Sequence, residues 1–151
     1  MATVEFVDEL HQLDGEDLGY SSWIAITQDR VDLFADATED HQWIHVDVQR
    51  ATDESPFGGP IAHGYLTLSL LSAMFAQLLT VQKASMAVNY GLNKVRFPAP
   101  VPVGSNVRLQ GKVIRVEEVA NGVQVVINIT VYCDASAKPV CVAECVFIYT
   151  R

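Results

Sequence analysis

The sequence predicts an α+β fold in which a long antiparallel sheet wraps around a buried helix. Two observations indicate this architecture. Residues 64–79 are apolar on nearly every side, which is typical of a helix buried among other elements. From Ser85 onward the chain holds four strand-like segments rich in Val, Ile and aromatic residues, at 86–97, 106–117, 123–132 and 140–149.

The first half of the chain is predicted to be largely helical. Residues 22–26 have the pattern of a short strand. Thr27 then has the side chain expected at the N-cap of an amphipathic helix that ends near Thr38. Residues 39–60 show no sustained period and contain several Gly and Pro, which predicts a long irregular connection. Long connections inside compact domains tend to be functional.

Two turn signals predict how the four strands pair. Asn121-Gly122 separates the second and third strand-like segments and is a strong hairpin signal. Residues 135–139, which include Pro139, are expected to turn the chain between the third and fourth. Consecutive hairpins make neighbouring strands antiparallel.

Composition limits the class of protein. The 151 residues fit one domain, 1–151, and half of them are hydrophobic, enough for a core without disulfide or metal staples. A formal net charge of −8 argues against nucleic acid or an anionic membrane as a partner. The longest apolar stretch, 65–79, is too short for an ordinary membrane span.

The cysteines and the N-terminus favour a cytoplasmic location. Cys133, Cys141 and Cys145 are odd in number and lack zinc-ligand spacing, so they are expected to pack as small hydrophobes. The first ten residues are acidic and lack the basic start and apolar centre of a secretion signal. A reducing compartment is consistent with both features.

The strongest functional signal is a carboxylate and an imidazole five positions apart, Asp40 and His45, in the predicted irregular connection. Such a pair can activate one water by general acid–base catalysis. His63-Gly64 follows at the mouth of the predicted buried helix, where the backbone N–H of Gly64 can stabilise an oxyanion. Together these residues predict chemistry at an activated carbonyl with water as reactant, and neither a nucleophilic Ser or Cys motif nor a metal cluster competes with this interpretation.

Each of these residues also has a structural interpretation. Asp40 can end the first helix, and His45 can be a hydrogen-bonded loop residue. Asp47 is expected to be structural and to hold backbone N–H groups. It is the combination of the pair with His63-Gly64 that favours catalysis over these roles.

Three blocks of the chain resemble the MaoC-like dehydratase family, the (R)-specific enoyl-CoA hydratases of the hot-dog fold. The blocks span residues 34–47, 60–64 and 95–104, in that order. The family motif Asp-x-Asn-Pro-(aliphatic)-His keeps its acid and base here as Asp40 and His45, while Gln42 and Trp43 replace Asn-Pro. This departure leaves the chemistry intact and affects substrate preference.

The resemblance implies roles for further residues. Trp43, His63 and Ser72 are expected to line the substrate, although Ser72 can instead bond back to a helix carbonyl. Lys94 and Arg96 are expected to reach the phosphates of coenzyme A. More broadly, five cations between residues 94 and 115 suggest a cationic rim, or else scattered solvated charges. The resemblance also implies a homodimer with the active site near the subunit junction.

The expected function is therefore reversible (R)-specific hydration of trans-2-enoyl-CoA, with coenzyme A as part of the substrate and no separate cofactor. The same chemistry on acyl-carrier-protein substrates is the nearest alternative. A hot-dog thioesterase is disfavoured because residues 65–79, on the predicted central helix, contain no carboxylate. A non-catalytic acyl-thioester-binding partner subunit is disfavoured because Asp40 and His45 are both present.

Overall fold

A six-stranded antiparallel sheet dominates the computed structural model, which describes residues 1–151. Its strands are ordered β2-β6-β7-β8-β5, and β3 pairs with β6 beside β2. A separate parallel pair joins β1 to β4. The strands are β1 (Ala2–Val4), β2 (Asp17–Tyr20), β3 (Ile24–Ala25), β4 (Leu79–Val81), β5 (Met86–Arg96), β6 (Asn106–Val119), β7 (Gly122–Cys133) and β8 (Cys141–Thr150).

Five α-helices and one 3₁₀ segment (Val7–Leu13) complete the chain. They are α1 (Gln28–Thr38), α2 (Trp43–Val46), α3 (Val48–Glu54), α4 (Gly64–Ser69) and α5 (Leu71–Phe75). The α4–α5 segment packs against the inner face of the sheet, where the Phe75 ring stacks on Phe147 with centroids 5.0 Å apart. The predicted sheet wrapped around a helical segment is confirmed.

The four predicted long strands are confirmed as β5 to β8, each within two residues of its expected ends. Asn121-Gly122 forms the β6–β7 hairpin, as predicted. A Cβ added at residue 122 would overlap the backbone carbonyl of Tyr149 on neighbouring β8. Gly122 is the first residue of β7 and has no positive φ, so close backbone approach, and not turn conformation, requires glycine there.

The predicted single helix over residues 64–79 is wrong in its extent. The segment breaks at Leu70 into α4 and α5, and its end continues into β4. Ser69 Oγ donates to the carbonyl of Tyr65 at 2.7 Å, an interaction that bends helices just before this break. The helix then stops early because Leu79–Val81 pairs with the N-terminal strand β1.

The predicted irregular connection over residues 39–60 is also wrong in part, because it contains the short helices α2 and α3. Asp47 caps α3 by accepting from the N–H of Arg50 at 3.0 Å, so its expected structural role is confirmed. Thr27 caps α1 as predicted, at 3.2 Å from the N–H of Arg30. Helix α1 ends at Thr38, and Glu39 turns the chain in the left-handed conformation, φ 61°.

One hydrophobic cluster of 30 buried residues lies between the sheet and the helical segment. The three cysteines are free and buried in it, as predicted, and burial raises the pKa of Cys141 to about 11 and that of Cys145 to about 12. By contrast, β5 is exposed along nearly its whole length and pairs only with β8. No helix has the length and apolar character needed to cross a bilayer.

Candidate active site

His45 lies on α2, a helix of only four residues that depends on contacts from elsewhere in the chain. Its Nδ1 lies 2.6 Å from the carbonyl oxygen of Ile61, and its own carbonyl accepts from Nε2 of Gln28 at 2.8 Å. The N–H of Ile61 in turn donates to the carbonyl of Ile44 at 3.0 Å. Side chain and backbone of His45 are therefore both fixed by groups distant in sequence.

These contacts determine which nitrogen of His45 can act as a base. A carbonyl only accepts, so Nδ1 carries the hydrogen that is donated to Ile61. In the neutral ring Nε2 then keeps its lone pair, and the ring lines a cavity of about 360 Å³. Burial lowers the pKa of His45 below its ordinary value of 6.5, and His63 lowers it further, although the Ile61 hydrogen bond opposes the shift.

Asp40 follows the turn at Glu39, past the end of α1, and its side chain is 51 % exposed. Its Oδ1 makes only a long contact of 3.4 Å with the N–H of Gln42. Ligand-type side-chain atoms of Asp40, His45 and His63 lie within 4.8 Å of one another. The predicted acid–base pair is thus brought together, with a carboxylate that is free of strong structural bonds.

His63 lies beneath this pair and is 3 % exposed. Its ring stacks on that of His45, with centroids 3.8 Å apart, and contacts Phe34 at 5.0 Å between centroids. Nε2 donates to the backbone carbonyl of Asp40 at 2.9 Å, whereas the buried Nδ1 has no partner. His63 therefore fixes the backbone that carries Asp40 and the plane of the His45 ring.

Gly64 is the first residue of α4 and lines the same cavity as His45. The N–H of Gly64 has no acceptor within the protein. An unpaired N–H at a helix start is a suitable donor to an oxyanion. The rest of the cavity wall is formed largely by apolar residues, including Phe57, Ile61, Phe97 and Val101.

The side chains that could hold a metal ion are the same three, those of Asp40, His45 and His63. The two imidazole planes are inclined by only 25° and stacked 3.8 Å apart. A metal held by two histidines lies in both ring planes, about 2 Å from each nitrogen. Nearly parallel stacked planes do not meet so close to the rings, so this arrangement suits proton transfer better than metal coordination.

None of the three residues expected to line the substrate (Trp43, His63 and Ser72) forms part of the cavity wall beside His45, and their role stays a prediction. Trp43 is absent from the wall of the cavity beside His45, and the guanidinium of Arg50 covers its ring at 4.3 Å. Ser72 lines a separate cavity of about 440 Å³ between the helical segment and β5. Its Oγ accepts from Nδ2 of Asn89 at 3.0 Å rather than bonding back along the helix.

The suggested cationic rim is not formed within one chain. Lys94 and Arg96 lie on β5, whereas Arg108 lies on β6, three strand spacings or roughly 14 Å away across the sheet. Arg108 is held between two aromatic rings, 4.4 Å from the centroid of Tyr20 and 4.6 Å from that of Trp23. Lys94 and Arg96 make no contact with the cavity beside His45, so their role toward coenzyme A stays a prediction.

Sequence patterns did not indicate two residues that belong to the site. Gln28, at the first turn of α1, reaches the backbone of His45 17 positions later, and no local pattern signals this contact. Phe97 lies in one of the blocks of family resemblance but had no assigned role, and its ring forms part of the cavity wall beside Gly64.

The chain is similar to known proteins over most of its length. The family description "MaoC like domain" matches residues 10–133. The chain is 54 % identical over 150 residues to 3-hydroxyacyl-thioester dehydratase Z of Mycobacterium tuberculosis, covering 99 % of each. It is 43 % identical to nodulation protein N of Rhizobium meliloti, covering 94 % of this chain and 89 % of that protein.

Among solved structures, the R-hydratase PhaJ1 of Pseudomonas aeruginosa superposes with a TM-score of 0.74 at 25 % identity. The match covers 91 % of this chain and 82 % of that one. The expected hot-dog fold is confirmed by this likeness together with the sheet wrapped around α4 and α5.

Proposed function

Because the chain belongs to the MaoC-like domain family, we propose that it adds water to trans-2-enoyl-CoA to give (R)-3-hydroxyacyl-CoA, and that it catalyses the reverse dehydration. The observation that carries the proposal is that the side chains of Asp40 and His45 lie together and that His45 lines the same cavity as Gly64, whose N–H is free. Likeness to an R-hydratase supports the stereochemistry.

The chemistry follows from the donors and acceptors in the site. A water donates one hydrogen to the Asp40 carboxylate and the other to Nε2 of His45, which leaves an oxygen lone pair to attack C3. Asp40 accepts the proton as base while negative charge passes to the thioester oxygen. The N–H of Gly64 stabilises that oxygen, and loss of one such donor typically costs roughly 3–4 kcal/mol.

Return of the proton to C2 completes the addition. If the same water supplies both the hydroxyl at C3 and the proton at C2, both arrive on one face and the addition is syn. Dehydration follows the same steps in reverse, with the protonated acid delivering its proton to the departing hydroxyl. In this scheme coenzyme A is part of the substrate, and no separate cofactor takes part.

A carrier-protein thioester is the second candidate substrate. The mycobacterial relative is named for hydroxyacyl thioesters without specifying the carrier, which leaves both carriers open for this chain. Hydrolysis of the thioester is disfavoured because α4 and α5 contain no Asp or Glu. A non-catalytic partner subunit is disfavoured because a degenerate site has no reason to keep Asp40 beside His45.

We also propose that the active form is a homodimer joined along β5. The outer edge of β5 is unpaired, and it carries exposed Met86, Tyr90 and Leu92. A long exposed edge with apolar side chains is suited to pairing with another strand. The cavity lined by Ser72 opens beside β5, so a second copy there would close it.

The decisive assay follows the loss of enoyl-thioester absorbance from crotonyl-CoA near neutral pH, with Asp40→Asn as control. Loss in the wild type alone supports the proposal, and chiral analysis of the product tests the R configuration. Loss that occurs only with an enoyl-acyl-carrier-protein would favour the second candidate. Release of free thiol would contradict the hydro-lyase assignment.

A further inference from the structure

Gly64 faces the ring of Phe97 at very short range. A Cβ built on Gly64 would lie 3.3 Å from each of three adjacent ring carbons, Cγ, Cδ2 and Cε2. A point equidistant from three neighbouring carbons of a hexagon lies over its face. Gly64 has no positive φ, so backbone conformation does not call for glycine at position 64, whereas a side chain there would have to push the ring away by a few tenths of an ångström.

The Phe97 ring is held in this place by its flanking chain. Phe97 follows the last residue of β5 and begins a stretch with three prolines within six residues. That stretch is paired with the chain before α4: the N–H of Ala62 donates to the carbonyl of Val101 at 2.8 Å. The N–H of Val103 donates to the carbonyl of Pro60 at 3.0 Å.

A second aromatic ring supports Phe97 from the solvent side. Tyr65 meets it edge to face, with centroids 6.3 Å apart. Phe97 remains 41 % exposed, and its ring lines the cavity that His45 and Gly64 share. The Phe97 ring therefore covers one side of Gly64, a residue that is otherwise exposed in the single chain.

We infer that Phe97 is a positioning residue for the oxyanion donor, an inference that rests on the proposed hydration. Its ring packs against the start of α4 and shields from water the one side of Gly64 that it covers. A hydrogen bond from N–H to a developing oxyanion is stronger where water is kept out. The hydrogen bond stabilises the thioester oxygen most when the negative charge on that oxygen is greatest. Phe97 therefore acts on the transition state more than on substrate binding.

The test compares variants of Phe97 in the crotonyl-CoA assay. Phe97→Tyr keeps the ring face and is expected to retain kcat within about twofold. Phe97→Leu removes the ring face and is expected to lower kcat by about tenfold, with KM little changed. This loss is smaller than the roughly 100- to 1,000-fold fall in kcat that follows removal of a whole oxyanion donor. Phe6→Leu, a similarly exposed phenylalanine outside the site, is the matched control and is expected to leave kcat unchanged.

A double-mutant cycle tests the contact itself. Gly64→Ala alone is expected to lower kcat/KM by at least about tenfold, because its methyl group must displace the ring or the N–H. In the Phe97→Ala background, where the space is free, the same substitution is expected to cost less than about threefold.

Three results would overturn the inference. Equal costs of Gly64→Ala in both backgrounds would mean that Phe97 does not act through Gly64. A change in KM alone would make Phe97 only a wall of the binding cavity, and normal kinetics for Phe97→Leu would remove any role. A wild-type enzyme inactive on every enoyl thioester would contradict the proposed function instead, so the two failures are distinguishable.

Discussion

The imidazole rings of His45 and His63 are stacked face to face, with centroids 3.8 Å apart and planes inclined by 25°. Two imidazolium cations at this distance, both largely removed from water, would repel strongly. Each ring already donates one N–H to a carbonyl, His45 to Ile61 and His63 to Asp40. The stack therefore favours a neutral His45 ring, in which Nε2 keeps its lone pair.

The first prediction concerns the pH dependence of activity. His45 must be neutral to accept a hydrogen from water, and its pKa lies below 6.5 because of burial and the nearby His63. We expect the acidic limb of kcat/KM, which reports the free enzyme, to fall below pH 6.5. A rate profile between about pH 4.5 and about pH 8 measures it, and a limb above 6.5 would argue against His45 as the acceptor.

The free energy of unfolding should also depend on pH through His45. Well above pH 6.5 His45 is neutral in both the folded and the unfolded chain. As the pH falls below 6.5, the unfolded chain binds a proton first, so the free energy of unfolding decreases. His45→Asn removes this contribution, and its thermal midpoint should fall less than that of the wild type between about pH 7.5 and about pH 5.5. Identical falls in the two proteins would contradict the shift.

A second prediction separates catalysis by Asp40 from a structural role. The carboxylate is exposed and has two long contacts, 3.4 Å to the N–H of Gln42 and 4.0 Å to Nε2 of His63, whose hydrogen bond goes to the backbone carbonyl instead. Asp40→Asn should therefore lower kcat by about 100- to 10,000-fold with a nearly unchanged thermal midpoint. Large destabilisation with full activity would indicate a helix-ending role.

Gln28 provides a third prediction. Its amide donates to the carbonyl of His45 and to Oδ1 of Asp32, each at 2.8 Å. Gln28→Met keeps the shape but removes both donors, which should destabilise the fold by about 1–2 kcal/mol. Misplacement of His45 should also lower kcat by about tenfold.

A matched control for Gln28 exists on α3. Gln49 donates to Oδ2 of Asp53 at 2.8 Å with the same four-residue spacing as Gln28 and Asp32, but makes no bond to α2. Gln49→Met should leave kcat unchanged. If Gln28→Met loses stability while keeping the wild-type kcat, Gln28 supports the fold without positioning His45.

A fourth prediction tests the proposed homodimer. Tyr90 is 67 % exposed on β5, and Leu33 is 70 % exposed on α1. Tyr90→Glu should shift the protein toward monomer in light scattering, because it places a charge on the proposed interface. Leu33→Glu should leave the oligomeric state unchanged, and a monomeric wild type would contradict the proposal outright.

The sequence predicted those elements whose signals are local. The hairpin at Asn121-Gly122, the cap at Thr27 and the four long strands depend on neighbouring residues, and all are confirmed. The spacing of Asp40 and His45 likewise predicted that the two side chains would lie together.

The features that sequence patterns missed depend on distant partners. The helix after Gly64 ends early because Leu79–Val81 pairs with Ala2–Val4, and nothing near residue 79 signals that partner. The suggested cationic rim is not formed within one chain, for a similar reason. Residues 94 and 108 are close in sequence, but two other strands separate theirs in the sheet.

The open edge of β5 also matters before the protein reaches its final state. A newly made chain exposes an eleven-residue ladder of unpaired backbone groups that any other extended polypeptide can extend into an aggregate. Lys94 and Arg96, near the end of this strand, place like charges where foreign strands would stack. Whatever they do for a ligand, we expect these two cations to disfavour amyloid-like growth during synthesis.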